Sequence, residues 1–168
     1  MSKKLSVALI IIAGAAVLAA AALLIYAFAS GGSNTPSGAI WGYERAAMLR
    51  DADGMIKYSS EYNICVLSDA NPSSESLKSY LSRMYETAET SGYETELTCR
   101  VAKETRITRG SEQYAGLAAE YLRRVPDAED IVEFAFVSLN IYSDNVKILT
   151  FNGYAVMTGG KWFYFKPE

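Results

Sequence analysis

The sequence predicts an α+β protein: an N-terminal transmembrane helix followed by a curved antiparallel sheet packed against helices. Three observations predict it. Residues 5–29 form a 25-residue run with no charged side chain and no proline. Between residues 39 and 125 apolar residues recur at helical spacing in several segments, interrupted by one alternating stretch from Tyr93 to Arg109. From Ile131 onward β-branched and aromatic residues fill three segments separated by turn signals. An antiparallel sheet needs its apolar face covered, and amphipathic helices on one side supply the cover.

The first element is the span. As a helix, 25 residues extend roughly 37 Å, and a bilayer's hydrocarbon core is about 30 Å thick, so the segment crosses it with some tilt. The competing reading is a signal peptide with Lys3 and Lys4 as its basic start and cleavage after Ala29, in the triplet Ala27-Phe28-Ala29. A signal peptide's apolar region is about 7–15 residues, shorter than this run. Lys3 and Lys4 flank one end, and residues 30–43 carry no charge. The positive-inside bias then keeps residues 1–4 as a cytoplasmic tail and places everything after the span outside. Residues 30–38, SGGSNTPSG, read as a Gly/Ser linker, with a mean reach of roughly 15–18 Å. The extracytoplasmic α+β domain follows at 39–168.

Ile40, Tyr43 and Ala47 mark a helix from Ala39 to about Arg50. Asp51-Ala52-Asp53-Gly54 breaks it, with Asp53 as the cap of a short helix over 54–60. The D-x-D-G spelling lacks the further ligands of a calcium loop and reads as a corner between helices. The short apolar segment 61–67 reads as a strand. Ser73 or Ser74 caps a helix bearing Leu77, Tyr80, Leu81, Met84, Tyr85 and Ala88 on one face, and Gly92 ends it. Tyr93, Thr95, Leu97, Cys99 and Val101 alternate with polar residues and Ala102 as a half-buried strand. Ser111 caps the next helix, which carries Tyr114, Leu117, Ala118, Tyr121, Leu122 and Val125 and closes at Pro126. Strands follow over 131–142, 146–157 and 162–165, with turns at Ser143-Asp144-Asn145 and Thr158-Gly159-Gly160-Lys161. Gly153 reads as a bulge or bend.

Composition narrows the chemistry. Lys3 and Lys4 are the only charged residues before Glu44, so the remainder holds 14 basic and 19 acidic side chains, a net of −5. No basic face is available for nucleic acid, and the balance disfavours tight docking on anionic lipid. The chain has no histidine, which removes Ser-His-Asp and Cys-His nucleophile systems and most zinc sites. No metal site and no cofactor is expected. The two cysteines, Cys65 and Cys99, either form a disulfide outside the membrane or remain as two buried thiols.

The opening helix pair hinged at Asp51-Ala52-Asp53-Gly54-Met55-Ile56 and the closing hairpin Met157-Thr158-Gly159-Gly160-Lys161-Trp162-Phe163 resemble the nuclear transport factor 2-like (cystatin-like cone) superfamily, in its membrane-anchored extracytoplasmic type. The helix over 111–125, set between the long strand and the meander, departs from that family's usual order. The resemblance implies a curved sheet wrapped round helices. It also implies either a non-catalytic module or an isomerase- or dehydratase-like pocket domain. One group of such proteins, the membrane-anchored assembly subunits of type IV secretion machines, has this layout of tail, span and external domain.

Three expectations about function follow. The first is a single-pass, N-in membrane protein at the cell envelope. Its external domain binds or scaffolds without catalysing, and its partners are the lipid bilayer through residues 5–29 and an envelope protein or a second copy of itself. The second is a small-ligand or enzymatic pocket with Glu133, set among Ile131, Val132, Phe134 and Phe136, as the buried base. The plainer reading sets Glu133 on the solvent face of an alternating strand. The third is self-association through an open sheet face presenting Phe134 and Phe136, or Trp162 and Tyr164. No catalytic residue is assigned under the first reading.

Overall fold

The computed structural model of the protein describes residues 31–71, 75–87, 96–128 and 130–168. The expected span at 5–29 lies outside them, as do Ser73, Ser74, Ala88, Gly92, Tyr93 and Thr95. Among the described residues no helix is long and apolar enough to cross a membrane. The chain is α+β. Among the described residues five helices and four strands run in the order α1 (Pro36–Met48), α2 (Ala52–Tyr58), α3 (Glu61–Asp69), α4 (Leu77–Thr87), β1 (Leu97–Thr108), α5 (Glu112–Arg124), β2 (Glu133–Ser143), β3 (Val146–Thr158) and β4 (Lys161–Phe165). The strands form one antiparallel sheet in sequence order, β1-β2-β3-β4.

Local chemistry explains the helix starts. Thr35 caps α1, its hydroxyl accepting the Gly38 N–H at 3.1 Å, with Pro36 in the first turn. The cap of α2 is Asp51 and not Asp53: Asp51 Oδ1 accepts the Gly54 N–H at 3.0 Å. Asp53 instead sits in the first helical turn, where the helix dipole favours a carboxylate. The segment expected as a strand at 61–67 is helix α3. Ser60 caps it by accepting the Asn63 N–H, and Glu61 occupies its first turn. Tyr62 and Val66, four residues apart, then face the same aromatic core. For α4, Ser76 Oγ accepts the Ser79 N–H at 3.2 Å. Ser111 caps α5 through the Tyr114 N–H, and Arg123 and Arg124 lie in its last turn.

Helices pack on both faces of the sheet, which corrects the expectation of helices on one side, but on the second face they cover only the end at Phe134, and Thr150 and Asn152 further along it are exposed. Alternation along a strand sends neighbours to opposite faces. On one face Ala135, Val137, Leu139, Ala155, Trp162 and Tyr164 pack under Ala39 and Ile40 of α1, a helix that touches all four strands. On the other, Phe134, Val156, Phe163, Phe165 and Ile107 pack with Tyr62 of α3 and Tyr121 of α5. A third cluster joins Ala46, Ala52, Met55 and Leu81, binding α1, α2 and α4 together.

The two sheet edges differ. The outer edge of β4 is paired: Ser33 and Trp162 exchange backbone hydrogen bonds of 2.8 Å in both directions, and the Ser60 N–H donates to the Tyr164 carbonyl at 2.9 Å. The opposite edge, β1, is exposed except near its ends, where Leu97 and Ile107 are buried. The expected half-buried alternation therefore fails in mid-strand, where Val101 is 51% exposed. A register shift between Val101 and Lys103 moves the alternation by one residue, so Ile107 reaches the face opposite Leu97. Arg100, Lys103, Glu104 and Arg106 populate this strand, as suits an unpaired edge. The second register shift lies between Ile141 and Tyr142. Gly153 pairs regularly with Val137 and is not a bulge. The β2–β3 turn places Asp144 and Asn145 at φ 48° and 65°, as a type I′ hairpin requires.

Asn63 ties α3 to the end of β4. Its side-chain amide donates to the Tyr164 carbonyl at 3.0 Å, and its carbonyl oxygen accepts the Lys166 N–H at 3.0 Å. It is 5% exposed. Asn63→Ala leaves the Lys166 N–H without this acceptor and the Tyr164 carbonyl with the Ser60 N–H alone, and should lower unfolding stability by about 1–3 kcal/mol. Urea unfolding of the full chain in mild detergent checks this, and a change below about 0.5 kcal/mol would mean water replaces both bonds at no cost.

Candidate functional site

The chain enters the domain at a fixed point. The Gly32 N–H donates to the Lys57 carbonyl at 2.9 Å. Gly32 has φ +72°, and a Cβ there would come within 2.8 Å of the Trp162 carbonyl oxygen, so a side chain is excluded on both counts. Ser33 is paired to Trp162, and α1 begins at Pro36. Most of the stretch that reads as a flexible linker is therefore folded against the domain.

Beside this entry point α1 and α2 enclose a cleft of about 410 Å3. Trp41 and Tyr58 supply its rings, Arg45 and Lys57 its cations, and Asp51 and Asp53 its carboxylates. The helices approach closely because Gly42 faces the Tyr58 ring, where a Cβ would lie 2.6 Å from ring carbons. Both carboxylates are engaged: Asp51 caps α2, and Asp53 pairs with Lys78 at 2.6 Å. The cations are less so. Lys57 Nζ lies 5.4 Å from the Tyr58 ring centre, and Arg45 has no side-chain partner among the described residues. Aromatic walls with available cations suit an anionic group attached to an apolar or planar body.

A second cluster occupies another flank of α1, outside the cleft lining. Burial pushes the Glu44 carboxyl up to about 7, with Lys166 pulling it part of the way back. Burial likewise raises Tyr43 to about 12, with Tyr85 and Glu44 adding to it. Tyr85 and Tyr164 move in the same direction, first through burial and then through the charge of Glu44. The Tyr43 and Tyr164 rings are 4.2 Å apart between centres. A carboxyl that titrates near neutrality can give or take a proton there.

The residues singled out from the sequence fall elsewhere. Glu133 starts β2 and forms an ion pair with Arg106, whose guanidinium lies 4.5 Å from the Trp162 ring centre. It is thus not a base in an apolar pocket. Phe134, Trp162 and Tyr164 are 0%, 1% and 5% exposed and build the core, and Phe136 packs on Tyr154. Phe134, Trp162 and Tyr164 are therefore closed to a partner, whereas Phe136 stays half-buried beside the exposed Asn152. Cys65 on α3 and Cys99 on β1 are both free thiols. Burial raises the pKa of both thiols, assisted at Cys65 by Asp69 and Glu61. Asp51-Ala52-Asp53-Gly54 is a corner between two helices.

A further charged cluster is structural. Arg123 and Arg124 hold the Glu168 carboxylate, Arg124 also reaches Asp69 at 2.7 Å, and the Tyr62 hydroxyl donates to Glu120. It fastens the end of the chain to α3 and α5.

No family model, curated protein or solved structure matches this chain.

The cleft was not singled out from the sequence. The signal that marks it is Gly38, Gly42 and Ala46 at i, i+4 and i+8 on α1, a strip of small side chains that lets a second helix approach closely. Glu44 carries no such mark, because Tyr85 and Lys166, with which its charge interacts, lie 41 and 122 residues further along the chain.

Proposed function

We propose that this is a single-pass membrane protein of the cell envelope, N-terminus in the cytoplasm, whose external α+β domain is a non-catalytic binding or scaffolding module. The observation that carries this reading is the uncharged 25-residue run at 5–29, preceded by Lys3 and Lys4. The resemblance to membrane-anchored nuclear transport factor 2-like domains supports it and extends it to a secretion-type assembly. Two measurements test it. A carbonate wash of membranes should leave the full chain in the pellet, and protease added outside should digest a C-terminal tag without lysis. In-cell crosslinking of the tagged chain should then recover a reproducible set of envelope proteins. Release by carbonate would remove the anchor, and recovery of the chain alone would remove the scaffold role.

A second reading, a domain that binds a small ligand, is favoured by the cleft between α1 and α2. Here the ligand would meet Trp41, Tyr58, Arg45 and Lys57, and Glu133 would have no part. A small molecule co-purifying with the wild-type chain and lost from Trp41→Ala would support it.

A further inference from the structure

The net charge of the domain is negative, yet its charges are not spread evenly. At the α1–α2 cleft, Arg45 and Lys57 are exposed and lack carboxylate partners among the described residues. The neighbouring carboxylates are already served, Asp51 by the Gly54 N–H and Asp53 by Lys78. Counting Lys78, three cations face two carboxylates. Trp41 and Tyr58 stand beside them, half-buried. Tryptophan, tyrosine, arginine and lysine together are the residue types that settle at a membrane–water interface, rings at headgroup depth and cations on phosphates.

Chain length adds an independent argument. Gly32 is fastened to Lys57, a cleft residue, and to the β4 edge through Ser33. Only Ser30 and Gly31 separate Gly32 from Ala29, the last residue of the apolar run. Three Cα–Cα steps cover at most about 11 Å. A headgroup layer is itself several ångströms deep, since a bilayer measures about 40–45 Å with its polar regions against about 30 Å for the hydrocarbon core. With a tilted span that runs to Ala29, connectivity therefore keeps Gly32, and the cleft residue bonded to it, within reach of the lipid headgroups.

We propose that the α1–α2 cleft docks on the headgroup layer of the leaflet from which the span emerges, Arg45 and Lys57 taking lipid phosphates and Trp41 and Tyr58 seated among the headgroups. The inference rests on the reading of residues 5–29 as a membrane span. It deepens that reading by making the domain a membrane-surface module with a set orientation, so that its exposed β1 edge is held in one direction for a partner. The overall negative charge, which disfavours docking by the domain as a whole, then keeps the remaining surface off the bilayer.

The test uses the full chain reconstituted in vesicles of phosphatidylcholine with and without phosphatidylglycerol, each doped with bromine-labelled lipid. The wild-type minus Trp41→Phe difference isolates the emission of Trp41. Bromolipid should quench that emission, more strongly with phosphatidylglycerol present. Arg45→Gln/Lys57→Gln should lower the ratio of docked to undocked domain by about fivefold for each charge removed. Both side chains are exposed, so the variant should keep the wild-type circular dichroism. A carbonate wash of the same vesicles separates the two readings. Chain lost in the wash overturns the span, and the docking with it. Chain retained with Trp41 unquenched, or quenched equally in the double variant, overturns the docking alone.

Discussion

Replacing Phe134 by alanine should lower the unfolding free energy of the domain by about 3–5 kcal/mol. Phe134 is 0% exposed, on a strand flanked by β1 and β3. Its ring lies 5.5 Å from the ring centres of both Tyr114 and Phe165, which belong to α5 and β4. Opposite it in the sheet stand Ile107 and Val156, both buried. Four separate elements, α5, β1, β3 and β4, therefore meet at one ring. None can move in to fill the gap without breaking sheet pairing or lifting α5, so the cavity stays open. A domain of this size has about 5–15 kcal/mol in all, so the variant should melt roughly 10–20 °C lower. Val132→Ala is the control: Val132 is two residues away and 42% exposed, and its loss should stay within about 0.5 kcal/mol. Urea and thermal unfolding of both variants in the same detergent decide the matter. A Phe134→Ala loss no larger than that of Val132→Ala would mean that the aromatic cluster does not carry the fold.

The second large effect is in pH. The Glu44 carboxyl titrates at about 7 in the folded domain, against an ordinary 4.5, because burial disfavours its charge. The folded state thus keeps this proton over a range in which the unfolded chain has released it. Stability from this group is fully present below pH 4.5 and declines as pH rises, until it is lost above about 7. Allowing for partial exposure, the swing is on the order of 2–3 kcal/mol. Glu44→Gln keeps the shape and removes the charge. It should match wild type at the acid end of the window and exceed it by about that amount near pH 8. Tyr43, Tyr85 and Tyr164 titrate far above this window, so they do not blur it. Unfolding curves of the two proteins across the range provide the check. Parallel pH profiles would sink the assignment of a buried, protonated Glu44.

Helix and strand content was legible where patterns were long or punctuated. α4 and α5 carry apolar residues at i, i+3, i+4 and i+7, and both hairpin turns have residues that accept positive φ, Asp144-Asn145 and Gly159-Gly160. α3 was misread because a short run such as Tyr62-Asn63-Ile64-Cys65-Val66 fits either period. Its helical state is set by the Ser60 cap and by the contact of Tyr62 with Tyr121 and Phe165. Alternation shows that Phe134 and Ala135 point apart, but not that both directions are buried. Two burying layers, α1 on one side and α3 with α5 on the other, enclose Phe134, Trp162 and Tyr164, so these side chains are not the ones an open sheet face presents. Apolar sequence neighbours made Glu133 a candidate buried base beside the plainer solvent-face reading, and strand pairing sets it beside Thr108 and within reach of Arg106.

By itself, then, the sequence determined the α+β class, the order of most elements, the absence of histidine chemistry and an uncharged segment long enough to span a bilayer. Each of these depends on composition or on spacing within one stretch of chain. Only the tertiary structure decided which faces are buried, that Glu44 titrates near neutrality, and that Arg45 and Lys57 share a cleft with Trp41 and Tyr58 beside the point where the chain enters the domain. Those properties depend on contacts between residues far apart in sequence, and burial and electrostatic environment are set by such contacts alone.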